Sequence, residues 1–176
     1  MKWPNHARAA VSLTYDDGLP DGLDRAVPDL NAHGLHGSFY LTTGKRCVRR
    51  RADDWRRVFE QGHEIGSHSV RHPCRADAYP NPPRWLYPEL RLESWTPERI
   101  AAEVDEAAGW LNELIGHDPW RTYAHPCCAT AIGLPPDEVA YDAAIKRHHF
   151  AARVGGGGPN DPDDLDLLRI RSYKCD

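Results

Sequence analysis

Two adjacent carboxylates follow an apolar segment near the start of the chain. The stretch VSLTYDDG runs from Val11 to Gly18 and places Asp16 directly before Asp17. Neighbouring carboxylates repel each other and are costly to desolvate, so a metal ion or a surface position should compensate them. Because Gly18 permits a turn, both side chains can approach one site. Asp-Asp-Gly is also ordinary turn chemistry, and the dipeptide alone leaves that alternative open.

A second group of candidate ligands lies in HEIGSHSVRH, residues 63–72. His68 and His72 are four residues apart, which on a helical turn places both imidazoles on one face, ready for one metal ion. His63 and Glu64 do not begin an HExxH zinc signature, because the next histidine comes one residue too late. Two histidines and one carboxylate leave coordination positions open, as expected of a catalytic zinc site. Solvent-facing histidines without a ligand are the alternative.

The bulk composition narrows the class of protein. The chain has 176 residues, enough for one core, and we expect a single domain over 1–176. A net charge of −4 gives no indication of a nucleic-acid partner, and no apolar run is long enough for a membrane span. The five cysteines are odd in number and do not resemble a disulfide framework. With no signal peptide visible we expect a cytoplasmic protein, or a secreted one if a signal is missing from this chain.

Strand-like and helix-like segments alternate along the sequence, which favours a parallel α/β sheet, open or closed into a barrel. The predicted strands are 10–15, 37–42, 63–66, 121–125, 150–154 and 165–170, and the predicted helices are 21–33, 53–61, 97–115 and 136–147. Pro28 should kink the first helix or mark a late start. Five prolines predict a long irregular loop over about 73–96. A full eight-unit barrel takes ~250 residues, so a barrel here would be incomplete or the chain a fragment.

Three motifs in this order, SLTYDDG, HEIGSHSVRHP and TYAHPCC, resemble the leading motifs of the NodB-type polysaccharide deacetylases. The resemblance implies a distorted, incomplete (β/α) barrel that covers nearly the whole chain. It also implies that Asp16 is the general base and that Asp17, His68 and His72 bind a divalent metal ion, usually zinc. The chemistry agrees with these roles, since a dication lowers the pKa of water and a neighbouring free carboxylate can take its proton.

The third motif departs from the family pattern of Arg-x-Pro-aromatic-Gly. Aligned on Pro126, the arginine position holds Ala124 and the glycine position holds Cys128, where a positive φ would be strained. The backbone N–H of Cys127 remains a candidate oxyanion donor. Arg121 or His125 is expected to orient Asp16 in place of the missing arginine.

The family takes its general acid from a late Leu-x-His motif, which is not found after residues 166–170. His125 is the first candidate to replace that acid, and His148 or His149, expected at a solvated helix end, is the second. Three aromatic residues in the prolyl loop could stack on sugar faces or simply pack on the barrel: Tyr79, Trp85 and Tyr87.

The leading functional hypothesis is a metal-dependent hydrolase that removes N-acetyl groups from an amino sugar or polysaccharide. Hydrolysis of another non-peptide C–N bond in a small cytosolic amide is an alternative within the same chemistry. A second alternative is a catalytically impaired relative that binds metal and sugar. The sequence therefore predicts a carbohydrate or small amide as the partner.

Overall fold

The computed structural model describes residues 6–175 and contains five α-helices and eight strands within that range. The helices are α1 (Val27–Ala32), α2 (Arg46–Arg50), α3 (Ala52–Glu60), α4 (Pro97–Ile115) and α5 (Asp142–Lys146). The strands are β1 (Thr14–Tyr15), β2 (Ser38–Leu41), β3 (Glu64–Ser67), β4 (Thr122–Ala124), β5 (Ala131–Ile132), β6 (Val139–Ala140), β7 (Ala151–Val154) and β8 (Ile170–Arg171). Among the described residues, no helix is long and apolar enough to cross a membrane.

Six strands form one parallel sheet in the order β1-β2-β3-β4-β7-β8, and helices connect the successive strands from β1 to β7. This is a partial (β/α) barrel, so the expected fold class is confirmed. β5 and β6 form a separate antiparallel pair. Because parallel strands present their carboxyl ends at one edge, the loops after β1, β3, β4 and β7 share one rim of the partial barrel.

One helix prediction needs correction, and one short helix was missed. The segment predicted as one helix over 136–147 contains β6, which pairs with β5, and only Asp142–Lys146 is helical. Pairing with a strand outweighs the helical spacing there. The helix predicted over 21–33 is helical from its predicted beginning: a π-helical turn over Gly22–Ala26 leads directly into α1, and Pro28 lies in the first turn of α1 without marking a late start. The short helix α2 was not predicted.

The longest helix, α4, has the predicted ends. The Thr96 hydroxyl accepts a hydrogen bond from the backbone N–H of Arg99 at 3.3 Å, and Gly116 follows the helix with a φ of 83°. Its buried stripe packs into the two apolar clusters of the core. Ile100 and Val104 contribute to one cluster, and Leu111 contributes to the other.

The prolyl loop is better ordered than the proline pattern predicts. Short 3₁₀ turns lie at Pro88–Leu90 and Leu92–Ser94, and Cys74 forms a parallel backbone bridge with Arg91. The side chain of Leu92 is buried in the core. The Cys74–Arg91 bridge and the buried Leu92 thereby hold the two ends of the loop together and against the core, next to the segment that carries the candidate histidines.

Candidate active site

The rim at the carboxyl ends of the strands brings three predicted metal ligands together. One ligand atom from each of Asp17, His68 and His72 lies within 4.8 Å of the other two. Oδ1 of Asp17 is 3.6 Å from Nε2 of His72, and the two imidazole rings have centroids 4.7 Å apart in an edge-to-face arrangement. Two nitrogen donors and one carboxylate oxygen match the ligand set of a catalytic zinc site. The donors of this ligand group, Asp17, His68 and His72, therefore fit a divalent metal ion.

The turn after β1 explains how both aspartates reach this rim. Asp17 has a φ of 72° and Gly18 a φ of 61°, so the chain turns sharply after Asp16. A Cβ on Gly18 would lie 2.6 Å from Cγ2 of Val48 and 3.0 Å from Cδ2 of Leu41. Glycine is required there both for its φ and for the space beneath it.

His68 is buried and held in one ring orientation. Its Nδ1–H donates to the backbone carbonyl of Ala124 at 2.7 Å. The lone pair of Nε2 is therefore free to bind a metal ion. Burial, and then repulsion by His72, lowers the pKa of His68 to about 4. The imidazole is therefore neutral near pH 7, as a metal ligand must be.

His72 lies on a strained loop between β3 and the prolyl segment. His72 has a φ of 60° and Ser69 a φ of 63°, and the backbone N–H of His72 donates to the Ser69 hydroxyl at 2.9 Å. Non-glycine residues adopt such angles at a cost and persist only where the surroundings hold them. The loop is not helical, so the two histidines converge through this turn and not through the helical spacing that the sequence suggested.

A carboxylate from α4 holds the same loop from behind. Glu103 is 1 % exposed and accepts hydrogen bonds from the backbone N–H groups of Val70 at 3.0 Å and Arg71 at 2.6 Å. The Arg71 guanidinium also pairs with it. Glu103 therefore fixes the backbone between His68 and His72, a role that the sequence analysis missed.

Asp17 has a lysine partner that was also not predicted. The ammonium group of Lys45 lies 2.8 Å from Asp17 Oδ1, and the Thr42 hydroxyl donates to the same oxygen at 3.2 Å. Burial opposes ionisation of Asp17, but the hydrogen bond from Lys45 and the positive charge of that lysine lower its pKa, as do His72 and His68 when they are protonated. The carboxylate is thus kept ionised within the ligand group.

Asp16 is oriented by Arg153, which lies on β7. The Arg153 guanidinium forms a salt bridge with Oδ1 of Asp16, packs over the ring of Tyr40 at 5.2 Å and donates to the Ser172 hydroxyl at 3.0 Å. Asp16 is thus a second carboxylate at the rim, paired with arginine and outside the ligand group.

Arg121 does not replace the missing arginine of the third motif. Its buried guanidinium donates to Asn112 Oδ1 at 2.8 Å and to the Gly116 carbonyl at 2.9 Å. Arg121 therefore stabilises the carboxyl end of α4. The expectation for Arg121 is wrong, because its side chain, directly before β4, binds that helix end. No local sequence pattern marks Arg153 as the partner of Asp16, because 137 positions separate the two residues.

His125 points into the core and away from the ligand group. Its Nδ1 lies 2.9 Å from the Tyr141 hydroxyl and 3.1 Å from the Ala129 carbonyl, and its Nε2 lies 3.3 Å from the Leu168 carbonyl. Burial lowers its pKa to about 4. Both ring nitrogens are occupied by protein contacts, so this geometry supports neither orientation of Asp16 nor proton donation by His125.

The second pair of candidate histidines also has structural contacts. Nε2 of His148 lies 2.8 Å from Oδ1 of Asp105 on α4. His149 is buried rather than solvated, and its Nδ1–H donates to the Ile145 carbonyl at 3.2 Å. The expectation of a solvated helix end is therefore wrong for His149.

Cys127 forms a disulfide bond with Cys74, with the Cα atoms 5.6 Å apart. The odd number of cysteines gave no indication of this bond, which forms because the folded chain brings the loop after β3 against the loop after β4. Cys128 has a φ of 59°, as its place in the third motif predicted, and Cys127 has a φ of 52°. The role of the Cys127 backbone N–H as an oxyanion donor stays a prediction, as does the location of the protein in the cell.

Comparisons with known proteins support the resemblance. A family profile described as "Polysaccharide deacetylase" matches residues 4–132. A gellan lyase from Bacillus sp. is 24 % identical over 170 residues, which cover 97 % of this chain and 6 % of the lyase. The peptidoglycan-N-acetylmuramic acid deacetylase PdaA from Bacillus subtilis is 33 % identical over 70 residues, covering 39 % of this chain and 26 % of PdaA. The chain thus spans only a small part of these two relatives.

A solved structure of the Streptococcus pyogenes deacetylase PplD, in complex with acetate, shares the fold. It aligns with a TM-score of 0.68 at 17 % identity, covering 94 % of this chain and 66 % of PplD.

Proposed function

The chain belongs to the polysaccharide deacetylase family, and we propose that it is a metal-dependent hydrolase that removes N-acetyl groups from an amino sugar or polysaccharide. One observation carries the proposal. A three-residue ligand group of Asp17, His68 and His72 lies at the same rim as a separate carboxylate, Asp16, which arginine holds in place. Metal binding and proton transfer are thus divided between two neighbouring side chains.

Asp17, His68 and His72 would hold the ion, and their nitrogen and oxygen donors suit zinc. When bound, such an ion polarises the acetyl carbonyl and makes water more acidic. His68 and His72 are neutral at pH 7 because burial lowers their pKa, so neither must lose a proton before binding. The hydrogen bond to Ala124 keeps the His68 ring in the orientation that binding requires.

Asp16 accepts a proton at its carboxylate as water attacks the acetyl carbon. The Arg153 guanidinium fixes this carboxylate from the barrel side. Because both nitrogens of His125 are occupied, we assign the second proton transfer to Asp16 as well: the proton it has taken passes to the nitrogen as the C–N bond breaks. Water supplies one proton to the amine and its hydroxyl group to acetic acid, which then ionises to acetate, so the atoms balance. We assign the backbone N–H of Cys127 as the donor to the developing oxyanion.

The prolyl loop provides a candidate surface for the sugar. The ring of Trp85 meets His72 edge to face at a centroid distance of 5.7 Å, and its side chain is 45 % exposed. An aromatic face beside a metal ligand can pack against the apolar face of a pyranose ring. This position favours a sugar substrate over a small amide.

The test joins metal analysis to acetate release from N-acetylated chito-oligosaccharides. We expect Asp17→Ala and His72→Ala to lose bound zinc, and Asp16→Asn to keep zinc while acetate release falls by orders of magnitude. Asp21→Asn, which removes an exposed carboxylate nearby, is the matched control. Wild-type protein without metal after zinc loading, or Asp16→Asn with normal turnover, would reject the proposal. Zinc binding without acetate release would instead indicate a catalytically impaired relative.

A further inference from the structure

The Cys74–Cys127 disulfide lies against the opposite side of the His72 ring from the deacetylase-type ligand group. Nδ1 of His72 is 3.5 Å from Sγ of Cys74, whereas Nε2 of His72 faces Oδ1 of Asp17 at 3.6 Å. One ligand atom from each of His72, Cys74 and Cys127 lies within 4.8 Å of the other two. Two sulfurs and one imidazole nitrogen are the donors of a Cys₂His metal site, once the sulfurs are thiolates.

Backbone hydrogen bonds hold Cys74 in position independently of the disulfide. The backbone N–H of Cys74 donates to the Leu90 carbonyl at 3.0 Å, and the Cys74 carbonyl accepts from Leu92 N–H at 3.0 Å. Its side chain is fully buried. Breaking the S–S bond therefore leaves the sulfur of Cys74 next to His72.

The turn that carries Cys127 has its own hydrogen bonds as well. The N–H of Cys128 donates to the His125 carbonyl and the N–H of Ala129 donates to the Pro126 carbonyl, each at 3.0 Å. The Cα atoms of the two cysteines are 5.6 Å apart, a separation that also allows two thiolates to bind one ion. Cys127 is only partly buried, which gives a reductant access to the bond.

We propose that reduction of the Cys74–Cys127 disulfide opens a second metal site, formed by the two thiolates and Nδ1 of His72. A dithiol supplies the two electrons: its own S–S bond forms as the protein S–S bond breaks, and its two protons pass to the two cysteine sulfurs. A soft or borderline dication such as Zn²⁺, Cd²⁺ or Co²⁺ then displaces both protons and binds the thiolates. Mg²⁺ and Ca²⁺, which prefer oxygen, are excluded by the donor set.

The two sites share one histidine. A neutral imidazole has one nitrogen with a free lone pair, so His72 serves one metal ion at a time. Filling the thiolate site through Nδ1 leaves the hydrogen on Nε2 and removes a ligand from Asp17 and His68. The redox state of the disulfide thus determines which ligand group holds the ion.

The test uses Co²⁺ as the probe, because thiolate-to-cobalt charge transfer gives a near-ultraviolet band that nitrogen and oxygen ligands do not give. Metal-free protein is compared in its oxidised form and after treatment with a dithiol that is removed before titration. We expect the band only in the reduced protein. It should be lost in Cys74→Ser and Cys127→Ser, and retained in Asp17→Asn and in Cys128→Ser, whose exposed neighbouring thiol is the matched control.

Reduced wild-type protein that lacks the band would overturn the proposal, whether or not circular dichroism shows an intact fold. A band that survives in Cys74→Ser would do the same. The comparison of oxidised and reduced wild type needs no variant, so a variant that does not fold leaves the test decisive. Acetate release is not measured, and a failure of the proposed deacetylase activity would therefore be seen separately.

Discussion

Arg153 forms a salt bridge with Asp16 although the two residues are 137 positions apart in the chain. The parallel sheet makes the contact possible, because the ends of β1 and β7 lie at the same rim. An arginine that packs on Tyr40 and donates to Ser172 has little freedom to move. Arg153 therefore fixes the carboxylate that we propose as the proton acceptor.

Replacing Arg153 tests whether this orientation matters to turnover. We expect Arg153→Met to lower kcat by about 10- to 100-fold, because misplacing a reacting group by about 1 Å costs that much, while KM changes little. Arg153→Lys should recover part of kcat, since it restores the charge without the planar pair. Arg57→Met, which removes an exposed arginine, is the control. Steady-state acetate release measures all three, and an unchanged kcat in Arg153→Met would contradict the assigned role.

The ligand group could be predicted because its members lie in short motifs after strands. Asp17 follows β1 and His68 follows β3, and parallel strands open at one rim, so topology alone brings them close. Arg153 and Glu103 escaped prediction because their partners are far away in sequence and no local pattern marks them. The contacts of the His125 ring escaped prediction for a related reason: the spacing places His125 after β4 but does not say which way its ring points.

The disulfide is another contact between distant residues that no local sequence pattern marks. An odd number of cysteines argues against a framework of paired bridges, yet one bridge needs only two loops in contact. Cys74 and Cys127 are 53 positions apart and meet because β3 and β4 are neighbours in the sheet.

Glu103 offers a test of the loop that carries His72. We expect Glu103→Ala to lower zinc affinity by about 10- to 100-fold, as other supporting partners of metal ligands do. The free energy of unfolding should fall by about 3 kcal/mol, because two backbone N–H groups and Arg71 lose a buried acceptor. Glu106→Ala is the matched control, one helical turn further along α4 and half exposed. Isothermal titration and urea unfolding give the two values, and equal zinc affinity in both variants would contradict this role.

Lys45 should weaken metal binding by repulsion. Its ammonium group lies 2.8 Å from the Asp17 oxygen, so a dication bound there would have a positive charge close by. We expect Lys45→Met to tighten zinc binding by about tenfold, or ~1.4 kcal/mol, and the gain to shrink at high salt. Arg46→Met, the exposed neighbour, should leave affinity unchanged. Competition with a chromophoric chelator measures the change, and weaker binding in Lys45→Met would show instead that the lysine positions Asp17.

Two buried histidines predict how stability responds to acid. Burial lowers the pKa of His125 to about 4 and that of His149 to about 3, against 6.5 for an ordinary histidine. Between pH 6.5 and about 4 the unfolded chain binds protons that the folded chain does not, so the free energy of unfolding falls as the pH falls. Each histidine contributes a slope approaching about 1.4 kcal/mol per pH unit within that window, and none above it.

Urea unfolding of the metal-free protein at about pH 7.5, 6 and 5 measures this slope. The lowest pH lies above the range where most carboxylates titrate, so histidine dominates the change. His68, whose pKa burial also lowers to about 4, acts in the same direction. We expect His149→Gln to flatten the pH dependence by about the slope of one histidine, whereas His117→Gln, at an exposed position, leaves it unchanged. A free energy of unfolding that stays constant from pH 7.5 to 5 would show that these histidines take up protons in the folded state.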